Sequence, residues 1–69
     1  MNVEHLVKMA NEIGAFYVGE SEKDAPENIA SHIKRFWEKR MRSAIIEHSK
    51  KGGAGMQPAV RKAIDLIAA

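Results

Sequence analysis

Ile33-Lys34-Arg35-Phe36-Trp37-Glu38-Lys39-Arg40-Met41-Arg42 is the stretch on which the fold turns. If it runs on through Ala44, Ile45 and His48 as one helix, at roughly 100° per residue, then Ile33, Phe36, Trp37, Met41 and Ala44 share an apolar arc and Arg40 lands inside it. An unpaired guanidinium in a core is costly. Either the helix breaks or bends between Trp37 and Arg40, or Arg40 emerges into an interface and meets an acid. The favoured reading is a break, with a third helix running to about Lys51.

Working outward, Val3, Leu6, Met9 with Ala10, Ile13, and Phe16 with Tyr17 recur at three- and four-residue spacing. This predicts a first helix over Val3 to Tyr17 with Asn2 as its N-cap. Gly14 inside it is either a tolerated defect, costing up to about 1 kcal/mol relative to alanine, or the place where another helix comes close. Gly19 is expected to cap the C-terminus, and Glu20 to Asp24 to form an acidic connection. Asp24-Ala25-Pro26-Glu27 then opens a second helix, with Asp24 as cap, Pro26 in the first turn and Glu27 in the capping-box position. Its apolar face is Ile29, Ile33, Phe36 and Trp37.

Downstream, Gly52-Gly53-Ala54-Gly55 stops the third helix. It lacks the Gly-Lys-Ser/Thr ending of a P-loop, and no strand precedes it as a dinucleotide fingerprint requires, so it reads as a turn. Pro58 opens the last helix, with Val60, Ala63, Ile64 and Ile67 as its stripe. The expected fold is all-α: a single domain over residues 1–69, a small compact bundle of about four short helices.

A chain of 69 residues and 7.7 kDa removes only about 60% of its unfolded surface from water. That suffices for a marginal core but not for a core plus an enclosed catalytic cavity. Without cysteine, the usual ligands of iron–sulfur clusters and structural zinc are missing. The start, MNVEHLVKMANEIG, carries charges before any apolar stretch, so no secretory leader is read. The longest uncharged apolar-rich run, Ile13 to Gly19, is far short of the roughly 20 residues of a membrane span. A soluble, cytoplasmic protein is expected.

The net charge of +2 conceals two unlike halves. Residues 1–33 hold two lysines against six acids, a net of −4, and residues 34–69 hold nine bases against three acids, a net of +6. Such polarity suits an acidic partner surface, a nucleic acid, or pairing between the halves themselves.

Enzyme signatures are weak. His5, His32 and His48 fall on three different segments without an HExxH arrangement, and the serines lack a nucleophile-elbow context. The basic-aromatic stretch is the distinctive feature. Arg35, Lys39 and Arg42 share a face only if the helix is continuous, giving a tract that tracks phosphates. Phe36 and Trp37 read first as core or interface anchors. A helix-turn-helix reader wants a polar recognition helix, and the last helix offers only Arg61, Lys62 and Asp65 as long polar groups, which argues against specific DNA reading. Arg and Trp commonly anchor protein interfaces. A docking surface is the better reading, with a basic helical nucleic-acid-binding domain as the alternative.

Three stretches carry a resemblance. Leu6-Val7-Lys8-Met9-Ala10-Asn11-Glu12-Ile13-Gly14 with Phe16 resembles the opening of the delta subunit of NAD-dependent formate dehydrogenase. Ala30-Ser31-His32-Ile33-Lys34-Arg35-Phe36-Trp37-Glu38-Lys39-Arg40-Met41-Arg42 is similar to that family's most specific run, His-Ile/Leu-basic-Arg-Phe-Trp-acidic-Pro-Arg-Met-Arg. Gly52-Gly53-Ala54-Gly55-Met56-Gln57-Pro58-Ala59-Val60-Arg61 is similar to its Gly-Gly-x-Gly-Leu-x-Pro-x-Val-Arg ending. One position departs: Lys39 stands where the family has proline, so the break before Arg40 is no longer enforced.

The resemblance implies a non-catalytic, cofactor-free accessory subunit of a cytoplasmic molybdenum- or tungsten-dependent complex that oxidises formate and reduces NAD. It would support assembly, cofactor loading or stability of the catalytic (alpha) subunit. The expected contact residues are Arg35, Phe36, Trp37, Arg40, Met41 and Arg42, some of which must also serve the core. Such a surface leaves room for self-association of the isolated chain.

Overall fold

The structure, a computed structural model, describes residues 2–69. Its elements are α1 (Val3–Glu20), α2 (Ala25–Phe36), α3 (Lys39–Lys50) and α4 (Pro58–Ala68), with no strand among the described residues. The all-α reading holds. Asn2 caps α1 as its sequence position suggests: the side-chain oxygen accepts from the backbone N–H of Glu4 at 2.9 Å and of His5 at 3.4 Å.

The α1–α2 connection differs from expectation at two points. Gly19 does not end α1; the helix passes through it to Glu20, and Ser21 caps it in extended geometry, its N–H donating to the Tyr17 carbonyl. Asp24 likewise makes no side-chain cap on α2. Ser21 and Asp24 bond each other instead: Ser21 Oγ donates to Asp24 Oδ2 and accepts from the Asp24 N–H, both at 3.4 Å. That reciprocal pair closes the turn, so the Asp24 carboxylate is engaged away from the helix N-terminus. Pro26 occupies the first turn as expected.

α4 packs against all three other helices, and most extensively against α2, which also packs against α1. Ile29 and Ile33 of α2, Ile45 of α3, and Val60 and Ile64 of α4 are fully buried, with Leu6, Val7 and Ala10 of α1 closing the core. The α4 stripe follows its spacing, with Val60, Ala63 and Ile64 buried and Ile67 half-buried. On α1 the stripe stops short: Phe16 is 62% exposed. Two residues beyond buried Gly14, it projects from the opposite side of the helix.

Gly14 marks a close approach rather than a defect. A Cβ built there would sit 2.7 Å from Val60 Cγ2 and 3.6 Å from Ile29 Cδ1, so α1, α2 and α4 meet at a point that only hydrogen fits. Gly19 has nothing within 4 Å of such a Cβ. Gly14→Ala is therefore expected to destabilise by about 1–3 kcal/mol through overpacking. Gly19→Ala should stabilise by about 0.5 kcal/mol through helix propensity. Urea unfolding of the two variants beside the parent checks the pair, and equal midpoints would remove the close-approach account.

Candidate functional site

The basic-aromatic stretch forms a corner, not a continuous helix. α2 ends at Phe36, Trp37 is extended at φ −89°, ψ 137°, and Glu38 at φ −66°, ψ 157° precedes α3. The break therefore stands with Lys39 in the proline position. What holds it is Arg42. From the first turn of α3, Arg42 Nη1 donates to the Trp37 carbonyl at 2.8 Å and to the Lys34 carbonyl at 3.3 Å. The last carbonyls of a helix lack intrahelical partners and carry partial negative charge, so a guanidinium there satisfies both needs.

The corner divides the expected contact residues in two. Trp37 turns inward and is 5% exposed; Met41 is half-buried against the core, and Arg42 is half-buried over the carbonyls it binds. Phe36, expected on the same apolar arc as Trp37, is 68% exposed, because α2 ends there and the extended Trp37 takes the inward place. Arg35 and Arg40 are exposed, as are their neighbours Lys34 and Lys39. Arg40 thus escapes the apolar arc by the break. The same break separates Arg35 from Lys39 and Arg42, so the helical phosphate-tracking tract does not form.

Pairing between the acidic and basic halves does not occur either. Among the described residues the one ion pair is Lys51 Nζ to Glu47 Oε1 at 3.1 Å, both within the basic half. Lys34, Arg35, Lys39 and Arg40 face solvent without a carboxylate within 4 Å. The histidines do not converge. His5 is exposed, His32 lies between the rings of Tyr17 and Phe36, and His48 Nε2 is 2.8 Å from the Ala54 carbonyl. Among the described residues no three His, Asp or Glu side chains group as a metal site, and no buried side-chain nitrogen or oxygen lacks a partner. Among the described residues no helix is long and apolar enough to cross a membrane. What the corner offers is contact chemistry: one bare ring flanked by cations.

The glycine turn is a second clasp that residue patterning does not reveal. Gly53 is left-handed at φ 63°, and a Cβ on it would sit 2.7 Å from Arg61 Nε. The guanidinium packed there donates through Nη2 to the Ser49 carbonyl, near the end of α3, at 3.3 Å. Asn11 of α1 ties the loop from the other side. Its Nδ2 donates to the Gly55 carbonyl at 2.9 Å, and its Oδ1 accepts from the Gln57 N–H at 3.1 Å. The loop's own chemistry is the signal for this tie: the Gly55 carbonyl and the Gln57 N–H ahead of Pro58 lie outside any helix and are open to a polar side chain from elsewhere.

Two substitutions test the corner. Lys39 is the first residue of α3, preceded by Glu38 in the extended conformation that proline demands of its neighbour. Lys39→Pro should therefore stabilise by about 0.4–1 kcal/mol by restricting the unfolded chain. Arg42→Ala should destabilise by about 1.5–3 kcal/mol, the worth of a charge-assisted bond to a partly buried carbonyl. Thermal unfolding followed by circular dichroism reads both, and a loss of stability on Lys39→Pro would contradict the break.

Comparison with curated proteins and with solved structures finds no match to this chain. A family model does match: NADH-dependent formate dehydrogenase delta subunit FdsD, over residues 5–64. That span takes in α1 from its first turns, the corner with its buried Trp37 and clasping Arg42, the glycine turn, and α4 through Ile64. The chain belongs to the FdsD family of formate dehydrogenase delta subunits.

Proposed function

We propose that this chain is a non-catalytic accessory subunit that docks, in the cytoplasm, on the catalytic (alpha) subunit of an NAD-dependent, molybdenum- or tungsten-containing formate dehydrogenase. There it supports assembly, cofactor loading or stability of that subunit. Family membership supplies the complex of subunits. The observation that carries the docking is the composition of the corner: Phe36, 68% exposed, is flanked by Arg35 and Arg40, which pair with no carboxylate of this chain. Aromatic and arginine side chains of this kind anchor interfaces, and unpaired cations select an acidic counter-surface.

The six residues then act at two depths. Arg35, Phe36 and Arg40 make the contact. Trp37, Met41 and Arg42 hold the corner from behind, and they reach the partner only through the positions they impose. A double variant at Arg40 and Arg42 would confound the two depths, since Arg42 secures the fold.

Arg35→Glu combined with Arg40→Glu is the cleaner probe. It should keep the helical circular dichroism spectrum and lower affinity for the catalytic subunit tenfold or more in a pull-down from the assembled complex. Unchanged capture would place the contact elsewhere on the chain. For the accessory role itself, the enzyme produced without this chain should show lower formate oxidation and lower metal content than the enzyme produced with it. Equal values in both would sink that role.

A further inference from the structure

Phe36 is not isolated. Its ring lies 4.7 Å from that of His32, His32 lies 6.1 Å from Tyr17, and Tyr17 lies 5.1 Å from Phe16, each distance between ring centroids. Four rings thus form one strip across the seam between α1 and α2. The outer two are mostly bare, Phe16 at 62% and Phe36 at 68%, and the inner two are half-buried beneath them. One exposed phenylalanine is ordinary on a soluble protein, but contiguous aromatic surface marks a contact site. Rings that already lean on one another lose little side-chain freedom on docking.

The strip has unlike ends. Glu12 and Glu20 stand one helical turn before and after Phe16, both exposed. At the other end Arg35 lies one turn beyond His32 and next to Phe36, and Lys39 and Arg40 begin α3, outnumbering the exposed Glu38 before them. None of these takes part in an ion pair within the chain. A surface fitted to the strip needs an apolar stripe with carboxylates at its Phe36 end and cations at its Phe16 end.

We infer that the docking surface extends from the α2–α3 corner onto α1, and that Phe16, Tyr17, His32 and Phe36 form its aromatic centre, seated on an apolar stripe of the catalytic subunit with acidic and basic groups at opposite ends. The inference rests on the docking reading above and deepens it by naming the second half of the surface and the chemistry it meets. Continuity separates this occupant from a second copy of the chain, since Phe36 and Arg35 belong both to the strip and to the corner proposed above to meet the catalytic subunit. Two exposed rings cover a few hundred Å² at most, whereas a stable interface takes roughly 800 Å² from each partner. Joined to the basic corner, the strip becomes the apolar centre of an interface of ordinary size.

The test uses the assembled complex with Phe16→Ser, Phe36→Ser, and Glu12→Lys combined with Glu20→Lys, each shown by circular dichroism melting to be as stable as the parent. Both serine variants should weaken capture of the catalytic subunit tenfold or more. The double lysine variant should weaken it more at low than at high salt. If Phe36→Ser loses binding while Phe16→Ser binds like the parent, the surface stops at the corner: this inference fails and the docking reading stands. If neither serine variant weakens binding, both fail. Sedimentation of the isolated chain supplies the last arm. A concentration-dependent dimer abolished by Phe16→Ser, with capture of the catalytic subunit unaffected, would assign the strip to a second copy and overturn the inference.

Discussion

The Arg42 guanidinium sets the geometry on which the rest of the molecule depends. By bonding the Trp37 and Lys34 carbonyls from the first turn of α3, it satisfies the end of α2 and fixes the angle at which α3 departs. Were α2 to continue, those carbonyls would find partners four residues on, and Arg40 would turn into the core. A charge-assisted bond of this kind is worth about 1.5–3 kcal/mol, and burying an unpaired guanidinium costs more than that. The two terms act in the same direction. The helix stops where continuing would bury a charge and where stopping gives another charge a use.

The same device appears at the end of α3. Arg61 reaches back from α4 to the Ser49 carbonyl, through space that Gly53 leaves by having no side chain. Each arginine thus joins a helix to the end of its predecessor. With Asn11 holding the glycine turn against α1, these polar ties orient four short helices around a small core. No disulfide contributes. A chain of this length gains little from burial beyond its entropy cost, so local ties that define the helix ends carry a disproportionate share of the architecture.

Helix number and order are legible in the sequence because they follow from local signals: apolar spacing, Asn2 before α1, Pro26 and Pro58 in first turns, and glycines at φ values other residues avoid. Even the break is legible, through the misplaced angle of Arg40. The division of Phe36 from Trp37 is not, because both fit the apolar arc and only the backbone angles of Trp37 choose between them. Phe16 reads as core by its spacing and lies bare, since burial depends on whether a neighbouring element arrives to cover it. Gly19 and Asp24 mislead for the same reason: each has the composition of a cap, yet Ser21 ends α1 and engages the Asp24 carboxylate. Local periodicity finds the elements; the partners across the fold decide which side chains remain available.

That division bears on how one motif serves two purposes. Residues 36 and 37 are adjacent and aromatic, yet the larger ring is sealed and the smaller is bare. A helix that continued would have presented both to one arc. Ending α2 between them sends one ring to each side, so a single backbone break builds the core and bares the proposed contact surface together. The charge pattern follows the same logic. The acidic and basic halves do not neutralise each other: Arg35 and Arg40 are exposed, and among the described residues no carboxylate lies within 4 Å of either. Leaving such charges unpaired gains the isolated chain nothing. It is useful to a subunit whose charges find their complements when a complex assembles, as the proposed docking would have it.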